Sequence, residues 1–142
     1  MKSTVTGKDE LVKAAKERKR KHSKLLAIKL AEMVEANLVD MPGYDKEVTF
    51  HPVKKWRFDY AWLDLKVALE VHGGVFANGR HTRGKGFTED KVKMNNAQLL
   101  GWIVIEVTKA QVINGQMLIW IKDAILLRGK HAPDQAISKN DT

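Results

Sequence analysis

"WRFDYAWLDLKVALEVHGG", residues 56–74, contains two alternating runs joined by a short connection, and the way the two face each other decides the fold. In the first run Trp56, Phe58, Tyr60 and Trp62 alternate with Arg57, Asp59 and Ala61. A period of two assigns the aromatics to one face of a strand and the charges to the other. In the second run Val67, Leu69 and Val71 alternate with Ala68, Glu70 and His72. A hairpin that keeps the apolar faces together puts Asp59 on the same face as Glu70. Pairing residue 62 with residue 67 sets these two acids directly opposite, their β-carbons roughly 5 Å apart. Like charges so placed repel, and partial burial makes the repulsion worse. A hard divalent cation such as Mg²⁺ resolves the conflict by taking carboxylate oxygens at about 2.1 Å. The competing solution is a salt bridge from one acid to Arg57 or Lys66.

Downstream, "GGVFANGRHTRGKGF", residues 73–87, carries Gly73, Gly74, Gly79, Gly84 and Gly86 among Arg80, His81, Arg83 and Lys85. Glycines permit close approach and positive φ angles that aim amide N–H groups at an anion, and the basic side chains add charge. The segment therefore reads as a phosphate-binding loop, and a polar hairpin tip is its plain alternative. His81 in this loop is a candidate to protonate a leaving group or to touch phosphate. Thr88 with Glu89 and Asp90 predicts a helix start, and the helix runs to Gly101. "WIVIEV" predicts a buried central strand, and a last helix begins near Asn114.

Upstream, Leu26, Leu30, Met33 and Val34 form the stripe of an amphipathic helix that starts as early as Leu11 and ends near Leu38. Pro42 and Gly43 break the chain before a short strand over "EVTFH". The order of helix, strands, helix, strand, helix predicts an α/β sandwich with a mixed sheet flanked by helices. The 142 residues carry no long linker and no repeat. They divide into a basic arm (1–22), a core domain (23–128) and a polar tail (129–142).

The formal charge is +8, with 25 Lys and Arg against 17 Asp and Glu. Residues 1–22 supply +5 of it, from eight Lys/Arg and three Asp/Glu, which leaves +3 for the rest. Such a balance points to a polyanionic partner, and the arm reads either as a solvated helix end or as an extension that tracks phosphates. With no cysteine, neither disulfides nor thiolate zinc sites hold the chain together. No apolar stretch reaches the length of a membrane span and the N-terminus lacks a secretory apolar segment, so the expected location is the cytoplasm.

Taken in order, "FHPVKKWRFDYAW", "VALEVHGGVF", "GRHTRGKGF", "DKVKMNNAQLLGW" and "VIEVT" resemble the phage and bacterial branch of the PD-(D/E)XK nuclease superfamily related to the very short patch repair endonucleases. The resemblance spans about residues 23–127. It implies a restriction-endonuclease-like core and Mg²⁺-dependent hydrolysis of DNA phosphodiesters, with Mn²⁺ as a substitute ion. It matches Asp59 to the first acidic motif position and Glu70 to the second. His72 stands where the superfamily usually carries lysine, as histidine followed by glycine does in the repair endonucleases.

On this resemblance Asp59 and Glu70 hold the metal together with the Val71 carbonyl, and His72 orients or deprotonates the attacking water. Lys93, in a Lys-x-Asn pattern with Asn95, supplies the positive charge of the absent motif lysine. Glu32 and Glu35 are candidates for an outer carboxylate, against an ordinary exposed helix face. Lys54, Lys55, Arg80, Arg83 and Lys85 are the expected DNA contacts. No helix is patterned for reading base edges, so cleavage is expected to be selective for structure, or only weakly for sequence. The sequence leaves room for a homodimer. The rival readings are a non-catalytic nucleic-acid-binding module and a metal-histidine hydrolase using His72, His81 and His51.

Overall fold

The computed structural model describes residues 7–73 and 84–129. Four strands form one mixed sheet in the order β1-β2-β3-β4, with β1 at Asp45–Thr49, β2 at Arg57–Trp62, β3 at Val67–His72 and β4 at Ile103–Thr108. The pairs β1/β2 and β2/β3 are antiparallel and β3/β4 is parallel. A parallel neighbour needs a crossover, which the segment containing helix α2 (Lys85–Leu99) provides. Helices α1 (Gly7–Asn37), α3 (Lys109–Ile113) and α4 (Gln116–Gly129) complete the fold.

Two apolar layers hold it together. On one side of the sheet Val34 and Leu38 of α1, Val112 of α3, and Met117 and Ile121 of α4 pack on Tyr60, Trp62, Val67, Leu69 and Val107. On the other side Ala97 of α2 and Trp102 pack on Phe58, Ala61 and Ala68. The second layer is smaller: Ala97, Ala61 and Ala68 contribute little volume to it, and the rings of Phe58 and Trp102 fill the rest. The result is a helix–sheet–helix sandwich, as the element order requires.

The register agrees with the hairpin expected from sequence: Trp62 pairs with Val67, Ala61 with Ala68 and Tyr60 with Leu69. Between the strands Leu63–Leu65 form one 3-10 turn, closed by Lys66 in the left-handed region at φ 51°. The single aromatic face expected for β2 is not what forms. Phe58 sits with Ala61 and Ala68 against α2, whereas Tyr60 and Trp62 face α1 and α4. The neighbouring strand changes sides at the same level, since Val48 pairs with Phe58 and packs on its layer while Lys46 pairs with Tyr60. Between these pairs lies Glu47 at φ 53°, a conformation an L-residue seldom adopts, which breaks the period of two. Phe58 gains a stacked ring by the switch, with Phe50 at 3.9 Å between centroids and 6° between planes.

Two helix boundaries also differ from expectation. α2 starts at Lys85 with Gly84 (φ 87°) as its cap, so Thr88 lies in the first turn and bonds back to the Gly84 carbonyl. α3 is an additional element, begun by a capping box in which Thr108 and Gln111 each bond the other's backbone N–H. α1 starts four residues before Leu11 and runs unbroken through the described part of the basic arm, residues 7–22. Every residue from Gly7 to Lys29 is exposed, so about 34 Å of helix stands clear of the packed core.

Candidate active site

β3 delivers its alternate residues to the α2 side in the order Ala68, Glu70, His72, and α2 delivers Lys93 and Ala97 from one helical face. Ala97 packs beside Ala68 and, one helical turn away, Lys93 reaches Glu70: its Nζ donates to Glu70 Oε1 at 2.6 Å. The same ammonium lies 5.9 Å from the centre of the Phe58 ring. Glu70 is the only charged residue buried among the described residues, at 8% exposure. Burial pushes its carboxyl up to about 7; the hydrogen bond and charge of Lys93 oppose this, while the nearby Asp59 charge adds to it. Burial therefore outweighs the lysine.

Asp59 occupies the point where β2 changes sides and the β2/β3 ladder ends. Its Oδ2 accepts the Val71 backbone N–H at 2.7 Å, so the carboxylate takes the place of a strand partner and is fixed against β3 beside Glu70. His72 follows two residues after Glu70, and its Nε2 lies 3.0 Å from Glu106 Oε1 on β4. The parallel register sets Glu106 beside Glu70 and Thr108 beside His72. Glu106 is absent from the residues expected from sequence. Its signal was present: within Ile103–Thr108 it is the one charge, and it alternates with Ile103, Ile105 and Val107.

Asp59, Glu70, His72 and Lys93 thus come together at one end of the sheet. The β1/β2 connection ends here as well, because Thr49 pairs with Arg57 at this edge, so exposed Lys54 and Lys55 belong to the same end. Lys85 is exposed at the start of α2. Arg80, His81 and Arg83, with Gly74 and Gly79, lie outside the described residues. Gly73 has a packing role: a β-carbon there would come within 2.6 Å of the Leu30 side chain of α1. Glu35 is directed elsewhere, paired with Lys46 on the α1 side of the sheet, and Glu32 is exposed. The His51 ring is occupied by a turn, with Nδ1 accepting the backbone N–H groups of Val53 and Lys54 at 3.1 and 2.9 Å.

The donors suit a hydrated hard cation better than an all-protein cage. Asp59 and Glu70 each have one oxygen committed, to Val71 N–H and to Lys93, which leaves the second oxygen of each as a potential ligand. Among the described residues no three His, Asp or Glu side chains cluster tightly enough to hold a metal ion by themselves. Mg²⁺ commonly retains several waters and takes one or two carboxylates, so this donor set fits it.

No protein-family model matches the chain, and no curated protein does. Among solved structures it is similar in fold to a homing endonuclease I-Bth0305I catalytic domain, with a TM-score of 0.53 and 20% identity. The match covers 70% of this chain and 95% of that domain. The architecture is therefore an α/β sandwich shared with an endonuclease domain. Among the described residues no helix is long and apolar enough to cross a membrane.

Proposed function

We propose that the protein is a divalent-cation-dependent DNA endonuclease of the PD-(D/E)XK type, in the branch related to very short patch repair enzymes, acting in phage or bacterial DNA in the cytoplasm. The observation that carries the proposal is the meeting of Asp59, Glu70 and Lys93 at one end of the sheet, with a buried acid held in hydrogen-bond contact with a lysine. A fold with only stability to gain would not bury Glu70 beside Asp59. The likeness in fold to an endonuclease domain supports the same reading.

Asp59 and Glu70 would hold the cation with the Val71 carbonyl; when bound, it supplies Lewis acidity toward the phosphate and lowers the pKa of water. Lys93 keeps positive charge where negative charge builds up on the phosphate and steadies Glu70 in its ionised form. His72 takes the proton of the attacking water, acting as the general base. His81 serves the leaving group. Lys54, Lys55, Arg80, Arg83 and Lys85 hold the phosphate backbone. These contacts position the nucleic acid and do not specify sequence, so cleavage is structure-selective or weakly sequence-selective.

The projecting part of α1 adds a second phosphate-binding surface. Leu38 and Met41 lie near Trp62 and Leu30 lies against Gly73, so α1 leads away from the core beyond the end of β3 that carries His72. Changing Lys16, Lys19 and Arg20 together to Gln should weaken DNA binding and lower the salt slope by about 0.9 for each phosphate no longer neutralised. An unchanged slope in a binding titration would show that this helix does not touch DNA.

The direct test incubates the purified chain with supercoiled plasmid, linear duplex and a synthetic four-way junction in Mg²⁺, Mn²⁺ or EDTA. Cutting is expected in either metal and not in EDTA, and Asp59→Ala is expected to abolish it while binding persists. Cutting that survives EDTA rejects the metal mechanism. Binding without cutting of any DNA supports a non-catalytic nucleic-acid-binding module instead.

A further inference from the structure

We propose that Glu106 is the positioning residue for His72: it fixes which ring nitrogen carries the proton and which remains basic. The proposal rests on the nuclease reading and assigns a role to a residue on β4 that the rest of the mechanism does not use. An ionised carboxylate can only accept a hydrogen bond, so at 3.0 Å from Glu106 Oε1 the His72 Nε2 must be the donor. In the neutral ring the lone pair then resides on Nδ1, which becomes the atom available to take a proton from water. Without Glu106 either tautomer is open to the ring, and a histidine with the wrong one cannot act as a base through Nδ1.

The sheet makes this pairing specific. His72 and Glu106 come from adjacent parallel strands and share the α2 face, offset by two residues in register because Glu70 pairs with Glu106 and His72 with Thr108. That arrangement sets two glutamates side by side, which is unfavourable. The opposing contacts separate them: Glu70 is engaged by Lys93 from the helix above, and Glu106 by His72 from the strand beside it. Each acid has its own donor, and the two donors carry different proposed duties, charge for Lys93 and proton transfer for His72. Both side chains of the His72–Glu106 pair are partly open to solvent, so water can reach the ring.

Two measurements test this on the full-length chain. The first is ring-nitrogen NMR of His72 at alkaline pH without added metal, where the neutral tautomer is read from the nitrogen shifts. Wild type should hold the proton on Nε2, and Glu106→Ala should relax to a mixture. The second is plasmid cutting in Mg²⁺. Glu106→Ala should lower kcat by about 10- to 100-fold with little change in KM. Glu106→Gln keeps an acceptor oxygen and should fall between the two, and unchanged melting of both variants excludes a folding effect. A wild-type tautomer in Glu106→Ala, or cutting equal to wild type, overturns the positioning role while the nuclease reading stands. A wild type that cuts no DNA overturns both.

Discussion

The two faces of the sheet divide the protein's tasks between alternate residues of the same strand. Val67 and Leu69, both fully buried, face α1, α3 and α4 in a layer of large aliphatic and aromatic side chains without charge. Ala68 and Glu70, interleaved with them, face α2 across a smaller layer in which Ala61, Ala68 and Ala97 pack with Phe58 and Trp102. The larger layer can exclude water and hold the fold. On the smaller one Lys93 of α2 meets Glu70, and the acids lie at the end of the sheet. One-residue alternation therefore separates what stabilises the fold from what the site requires, and substitutions on the two faces should fail in different ways.

The largest expected contrast is between Asp59→Ala and Leu69→Ala. Asp59→Ala should cut metal-dependent DNA cleavage by about a thousandfold or more while costing only about 1 kcal/mol for the missing hydrogen bond to Val71. Leu69→Ala should cost about 2–5 kcal/mol by leaving a cavity under a fully buried side chain, with activity retained in the fraction that stays folded. Urea denaturation and plasmid nicking together separate the two. If Asp59→Ala reduced stability as much as Leu69→Ala does, the division between faces would be wrong.

Glu70→Gln sharpens the comparison through pH. The folded carboxyl titrates near 7 because it is buried, above its ordinary value of 4.5, so the folded chain holds a proton that the unfolded chain releases. Its contribution to folding is fully present below 4.5 and is lost as pH rises through 7. Glutamine does not titrate. In EDTA, the stability of Glu70→Gln relative to wild type should rise between pH 4 and pH 8 by about 3 kcal/mol, read by urea denaturation across that range. A flat difference would mean that Lys93 fully offsets the burial.

Gly73→Ala should have the smallest effect. The new methyl meets only the far end of the Leu30 side chain, which can rotate, so a loss below about 1 kcal/mol is expected in thermal melts. A larger loss would mean that α1 is seated more rigidly on the end of β3 than this contact implies.

Much of this division is legible in the sequence. The alternation of residues 67–72 predicts the common face of Ala68, Glu70 and His72, and the pairing of Trp62 with Val67 is one of the registers that the two alternating runs allow. Phe58 departs from the pattern: it lies on the α2 side while Tyr60 and Trp62 lie on the other, at the level where β1 carries Glu47 at φ 53°, and a simple period of two does not encode the change. Lys93 stands out only by resemblance, and its contact with Glu70 depends on how α2 is seated on the sheet, which no local pattern encodes. Glu106 escapes a sequence reading because its partner is non-local: only the parallel pairing of β3 with β4 reveals which histidine it meets. α3 escapes it too although Thr108-x-x-Gln111 is a capping-box spacing, since five residues are too few to show a helical period.

Lys66 has a reach beyond its own turn. Its left-handed backbone closes the Leu63–Leu65 turn, its carbonyl receives the first N–H of β4 from Ile103, and its ammonium caps the Leu100 carbonyl at the end of α2. A single residue thus joins the hairpin corner to the start of the crossover strand and sets how far β4 is slid along β3. A slip of one residue would turn Glu106 to the opposite face and leave His72 facing Val107 or Lys109. Lys66 works as an alignment pin, and the chemistry at the far end of the sheet depends on where it is set.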